Sequence, residues 1–179
     1  FVYKSRQAAE GAQQVAEQLA ALVRPHARVL GPADARVEIV EFFDPACETC
    51  KRFYPFVKEI LAAHPQQVRL VLRYAPFHDN SAYVVGVLEA AGRQGKYWET
   101  LEALLAVQDD WVVHHAVQPP AVWQHVERLG LDLERLEHDI QSPEIARLIA
   151  QDLEDARTLG VSKTPEFFVN GQPLPSFGF

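Results

Sequence analysis

The sequence predicts an α/β fold with a long helical block set into it, on three observations. Two short apolar, β-branched runs, 37–43 and 68–74, flank a stretch with helical periodicity. Residues 81–159 then carry no strand pattern. A third apolar run, 166–169, leads into Asn170-Gly171, a strong hairpin signal.

In chain order, Ala8, Ala12, Val15, Leu19 and Leu22 predict an amphipathic helix over about 7–23, and Pro25 and Gly31-Pro32 break the pattern. The run 37–43 reads as a buried strand. Asp44-Pro45-Ala46 is a turn, and a helix opens near Cys47 with Phe53, Val57, Ile60 and Leu61 on its apolar face. Pro55 lacks an N–H donor, so it predicts a kink in that helix. His64-Pro65 ends the helix, and Pro76 stops the second strand, 68–74. The helical block divides into helices over about 81–93, 96–107, 120–129, 132–141 and 143–158. Trp98, Trp111 and Trp123, with Tyr83 and Tyr97, are expected in its core. Ser142-Pro143 supplies a cap followed by proline at the first helical position, and Gly160 supplies a stop. A fourth strand opens at Gln172, limited by Pro173 and Pro175. Strand–helix–strand implies a parallel pair with a crossover, and the late hairpin adds an antiparallel edge.

The 179 residues suit one domain, or one domain carrying a large insertion, and a 48% hydrophobic content is enough for a real core. A net charge of −7 argues against a nucleic-acid groove, which needs concentrated Lys and Arg. No run approaches the length of a membrane-spanning helix. The chain begins at Phe1 and has no Met, which leads us to expect a processed protein or fragment whose signal peptide or anchor has been removed.

The only two cysteines, Cys47 and Cys50, lie in one Cys-Glu-Thr-Cys run. Two cysteines cannot alone supply a four-thiolate zinc site. Residues three apart share one helix face, so their sulfurs can meet. The first would sit where unpaired N–H groups and the positive helix end stabilise a thiolate, the attacking species in disulfide exchange. Cys47 is therefore the expected exposed nucleophile and Cys50 the more buried resolving thiol. Three other readings stay open: a structural disulfide, half of a metal site completed by His, or two unpaired buried thiols. A bridge closing so short a loop removes little chain entropy, and no second ligand pair has finger-like spacing. His114-His115 is the only adjacent histidine pair, and adjacent residues on a helix face different ways.

The segment Glu41-Phe42-Phe43-Asp44-Pro45-Ala46-Cys47-Glu48-Thr49-Cys50 resembles the active-site segment of the DsbA-like branch of the thioredoxin superfamily. Far downstream, 160–171, with Thr164-Pro165 and Asn170-Gly171, looks like that family's helix end, cis-proline, strand and turn. The resemblance covers about 37–179. It implies a thioredoxin-like fold with an inserted all-helical domain; with the N-terminal helix read from apolar spacing assigned to 1–30, the thioredoxin-like domain covers 31–78 and 160–179 and the insertion 79–159. It also implies a cis Thr164-Pro165 peptide beside the Cys47 sulfur, with Thr164 hydrogen-bonded to substrate backbone. Glu41 matches the family's buried acid beneath the cysteines, a relay for the Cys50 proton; the competing reading is a solvent-facing Glu on an alternating strand. Asp44 is expected to cap the helix near Cys47.

The dipeptide Glu48-Thr49 departs from the Pro-His of the family's strongest oxidants, and Glu48 should oppose a Cys47 thiolate. The family's closing strand and last helix are incomplete here, which points to a truncated chain. The resemblance implies protein thiol–disulfide exchange through a mixed disulfide at Cys47, in the oxidising direction, with no organic cofactor and no metal. The implied partners are protein substrates and a redox partner protein, not nucleic acid, with room for an N-terminal membrane anchor outside this chain. The implied location is extracytoplasmic, the bacterial periplasm. The rival functions are a protein-binding module with an inert disulfide and a Cys/His metal-handling protein.

Overall fold

A computed structural model describes residues 2–176, with side chains from residue 10. The side chain of Ala8 and the last three positions of the expected 160–179 segment lie outside the described residues. The elements run α1 (Val2–Leu22), β1 (Arg28–Leu30), β2 (Val37–Phe43), α2 (Glu48–Ala63), β3 (Val68–Tyr74), α3 (Ser81–Gly92), α4 (Tyr97–Ala106), α5 (Gln108–Trp111), β4 (Val112–Val113), β5 (Ala116–Val117), α6 (Pro119–Val126), α7 (Leu133–Ile140), α8 (Pro143–Thr158), β6 (Glu166–Val169) and β7 (Gln172–Pro173).

One sheet has the order β1-β3-β2-β6-β7. β2 and β3 run parallel, Val37 opposite Val68 through Phe43 opposite Tyr74, with α2 as the crossover. β6 lies antiparallel on the other edge of β2, Glu41 opposite Phe167, and Asn170 and Gly171 take the positive φ of 48° and 80° that a two-residue hairpin requires. The chain thus has the thioredoxin-like α/β fold with a helical insertion that the sequence predicts.

Side-chain alternation along the strands sends residues to cores on the two faces of the sheet. Phe43, Leu72 and Tyr74 face a core shared with Cys47, Cys50, Tyr54 and the helical block, including Leu88, Leu101, Trp111 and Leu136. Val40, Phe42, Val71 and Phe168 face the opposite side, where Leu22 of α1 and Ala156 of α8 cover them. The redox run therefore sits in the same apolar core as the insertion. Trp111 and Tyr97 are buried in that core, while Trp98, Trp123 and Tyr83 are partly buried against it.

Three short elements depart from the expectations. β1 pairs antiparallel with β3, Arg28 opposite Leu72; three residues between Pro25 and Gly31 are too few to show a period. The insertion is not all-helical: β4 and β5 form a hairpin across His114 and His115, at φ 51° and 63°. A His-His turn carries none of the usual Asn-Gly signal, so the sequence hides it. α5 is one turn after α4, bounded by Val107. α2 continues through Pro55 as one element. Among the described side chains of α1, Ala21 and Leu22 at its end are buried, whereas Val15 and Leu19 are exposed.

Candidate active site

β2 delivers the chain through Asp44, Pro45 and Ala46 to Cys47, whose N–H donates to the Asp44 carbonyl at 3.0 Å. Cys47 is the N-cap of α2: φ is −77° and ψ 120°, its carbonyl accepts from Lys51 N, and its Sγ accepts from Cys50 N at 3.5 Å. The sulfur takes the role that a Ser or Asp oxygen fills at an ordinary N-cap. Cys50 is fully buried one turn in, and Cys47 keeps 6% of its surface. The nucleophile expected to be exposed thus shows only an edge, because Ala46, Tyr54 and the insertion pack around it. Both thiols are free. The Thr164–Pro165 peptide is cis, and Cys47 Sγ as a thiol donates to the Thr164 carbonyl at 3.3 Å. The structure so brings together residues 117 positions apart.

The two sulfurs are pushed in opposite directions. Hydrogen bonding from Cys50 lowers the Cys47 pKa most, with help from the Thr164 side chain and the N–H groups of Cys50 and Thr49; against the opposing effect of burial, these bring it down to about 5. Burial, then hydrogen bonding to Cys47, pushes Cys50 well up. Glu48 and Thr49 are exposed. Glu48 was expected to oppose the thiolate, but solvent screens its charge and the short-range hydrogen bonds prevail. At the first turn of α2 its carboxylate complements the helix dipole.

Glu41 is fully buried on the face of β2 that carries Phe43, and neither carboxylate oxygen has a partner. The reading as a solvent-facing strand residue is therefore wrong. Burial first, then the Cys47 charge, raises its pKa to about 8. Asp44 is also buried but does not cap α2, a position Cys47 holds. One oxygen of Asp44 accepts from Ala46 N and Ser81 Oγ. The other accepts from Phe77 N, His78 N and His78 Nδ1. Asp44 thus fastens the redox loop to the β3–α3 connection.

Sequence reading missed His78, Ser81 and Gln108. Gln108 is 2% exposed and donates its amide to the Pro45 and Cys47 carbonyls at 2.7 and 3.2 Å. No local motif marks it. Among the described residues no group of three or more His, Cys, Asp or Glu is arranged to hold a metal ion.

Residues 24–175 match the family model described as Thioredoxin. A thioredoxin-like oxidoreductase from Silicibacter pomeroyi is 35% identical, with a TM-score of 0.75 over 87% of this chain and 86% of that one. The thiol-disulfide exchange protein α-DsbA2 from Wolbachia pipientis shares the fold, with a TM-score of 0.75 at 18% identity over 90% and 85%. A curated relative, the Na(+)/H(+) antiporter NhaA 3 of Salinispora tropica, is 38% identical over 152 residues. That match takes 83% of this chain but spans only 22% of the antiporter. Fold, cysteine site and relatives agree: this chain belongs to the thioredoxin family.

Proposed function

We propose that this chain exchanges disulfides with protein substrates through a mixed disulfide at Cys47, in the oxidising direction. The observation that carries the reading is the asymmetry of the two sulfurs. Cys47 sits at the N-cap of α2 with its pKa lowered to about 5, and Cys50 is buried with its pKa pushed well up. A stabilised thiolate favours the reduced form of the pair, which makes its disulfide an oxidant.

In that direction a substrate thiolate attacks Cys47 Sγ of the Cys47–Cys50 disulfide. The bond between the two cysteines breaks, a substrate–Cys47 bond forms, and Cys50 leaves as a thiolate that takes up a proton. Glu41, buried, unpartnered and still protonated near neutral pH, is the donor of that proton. A second substrate thiolate then attacks the substrate sulfur of the mixed disulfide and expels Cys47, whose low pKa makes it a good leaving group. Two electrons pass from the substrate dithiol to the cysteine pair, so no organic cofactor is required. The cis Thr164–Pro165 peptide beside Cys47 offers the Thr164 backbone to a bound peptide strand.

An extracytoplasmic setting, the bacterial periplasm, suits a disulfide donor, which needs an oxidising compartment and a redox partner protein to reoxidise it. No described helix is long and apolar enough to cross a membrane. The antiporter name of the Salinispora tropica relative favours a domain that works beside a membrane protein.

Equilibration against glutathione buffers tests the direction. A reduction potential near about −120 to −200 mV supports a disulfide donor. One near about −270 mV makes the chain a reductase, and one well below about −300 mV makes the disulfide an inert structural bridge.

A further inference from the structure

Cys47 Sγ accepts from Cys50 N at 3.5 Å, an ordinary separation for a sulfur acceptor. A small rotation of the Cys47 backbone would lose that contact and carry the sulfur away from the helix end. Two peptide carbonyls report the orientation of this stretch, Pro45 O before Ala46 and Cys47 O at the start of α2. Both are held by the two hydrogens of one side-chain amide, that of Gln108. Cys47 O has a second donor in Lys51 N. For Pro45 O, Gln108 is the donor the structure provides.

The amide is itself firmly placed. α5 is a single turn whose Trp111 is fully buried and donates its indole N–H to Leu104 O at 2.9 Å. Gln118 N donates to Trp111 O at 2.8 Å and closes the turn from the other side. Asp109, the next residue, reaches Lys51 Nζ in the first turn of α2 at 3.0 Å. One helical turn of the insertion therefore touches the redox loop from beneath and the first turn of α2 from outside.

We infer that Gln108 is a positioning residue for disulfide exchange: its amide pins the Pro45 and Cys47 carbonyls and so holds the Cys47 sulfur against the N-terminus of α2. This rests on the redox function proposed above. It gives the insertion a part in the chemistry, since α5 determines how well the nucleophile is seated. A neutral donor suits the task. It satisfies two buried acceptors, and it adds no charge beside a sulfur that cycles between thiolate and disulfide.

The test is the pH profile of Cys47 alkylation by iodoacetamide in the reduced protein, for wild type, Gln108→Met and Leu136→Ala. Gln108→Met keeps the volume and removes the donor. Leu136→Ala loosens the same apolar core and leaves the Gln108 hydrogen bonds in place. We expect Gln108→Met to move the profile to higher pH and slow alkylation at pH 6 about tenfold. Its equilibrium with glutathione should move in the reducing direction, and Leu136→Ala should keep the wild-type profile. An unchanged profile in Gln108→Met, or an equal change in Leu136→Ala, overturns the inference. If Gln108→Met does not fold, Gln108→Leu removes the donors without adding charge and is read in the same way. Failure of the underlying redox reading is seen separately, in the wild type alone, as alkylation with the profile of an ordinary thiol.

Discussion

Buried ionisable groups lie on both faces of the central sheet, and they are treated differently. Behind β3, Arg73 is fully buried, donating to Asp152 and Asp155 of α8 and to the Ala21 and Leu22 carbonyls at the end of α1. Asp152 also accepts from Tyr74 N and faces His26 Nε2 at 2.5 Å, and Asp155 accepts from Arg24 and Gln151. On the other face Glu41 has no hydrogen-bond partner for either oxygen among the described residues, and it interacts electrostatically with Cys47, Cys50 and Tyr54. Arg73 stands opposite Phe42, next along β2 from Glu41, so the contrast arises within one step of the strand. A buried charge whose every donor and acceptor is matched locks elements together. A buried carboxyl left unmatched is free to change protonation, which is the property a proton relay needs.

The largest effect expected at the unmatched end is on activity. Cys47→Ser should reduce dithiol oxidation to background while the far-ultraviolet circular dichroism stays that of wild type. Retained oxidation in that variant would return the chain to the class of binding modules with an inert disulfide. The largest effect at the matched end is on stability. Asp152→Ala takes from Arg73 one of its two carboxylate partners and from Tyr74 N its acceptor, and should cost about 3–5 kcal/mol in urea unfolding, with little change in the alkylation chemistry of the protein that remains folded. A cost well under that would mean the cluster does not clamp α1, β3 and α8.

Glu41→Gln should act in the opposite sense. The folded-state pKa of Glu41 is raised from 4.5 to about 8. Below the unfolded value both states hold the proton and ionisation contributes nothing to stability. Between 4.5 and about 8 only the unfolded chain releases it, so stability falls as pH rises through that window. The variant should therefore match wild type near pH 4 and exceed it by about 2–4 kcal/mol above pH 8. It should also slow disulfide exchange, because the Cys50 proton loses its donor. Equal stability at both pH values would mean that Glu41 is solvated. The smallest effect belongs to the exposed Asp109–Lys51 pair, where Asp109→Ala should change stability by less than about 1 kcal/mol.

The same contrast explains what the sequence made legible. Cys47, Cys50 and Asn170-Gly171 carry local chemistry, so spacing alone points to them, and the strands 37–43, 68–74 and 166–169 announce themselves by composition. The match of Glu41 to a buried acid came from resemblance, because an alternating Val-Glu-Ile-Val-Glu run also fits a solvent-facing side chain. What stayed hidden depends on long-range partners. Arg73 looks like any strand arginine until α8 brings Asp152 and Asp155 to it. Asp44 reads as a helix cap until the 77–81 connection occupies both of its oxygens. Gln108 and the β4–β5 hairpin occupy a few residues each, too short for any period to register.

The charge state of Cys47 decides most directly whether the pair is an oxidant. Ultraviolet absorbance of the reduced protein at the thiolate band, followed against pH with Cys47→Ser as the blank, measures it. One thiolate should appear with a midpoint near 5, while Cys50 stays protonated through neutral pH. A midpoint near about 8.5, the value of a free cysteine, would contradict it.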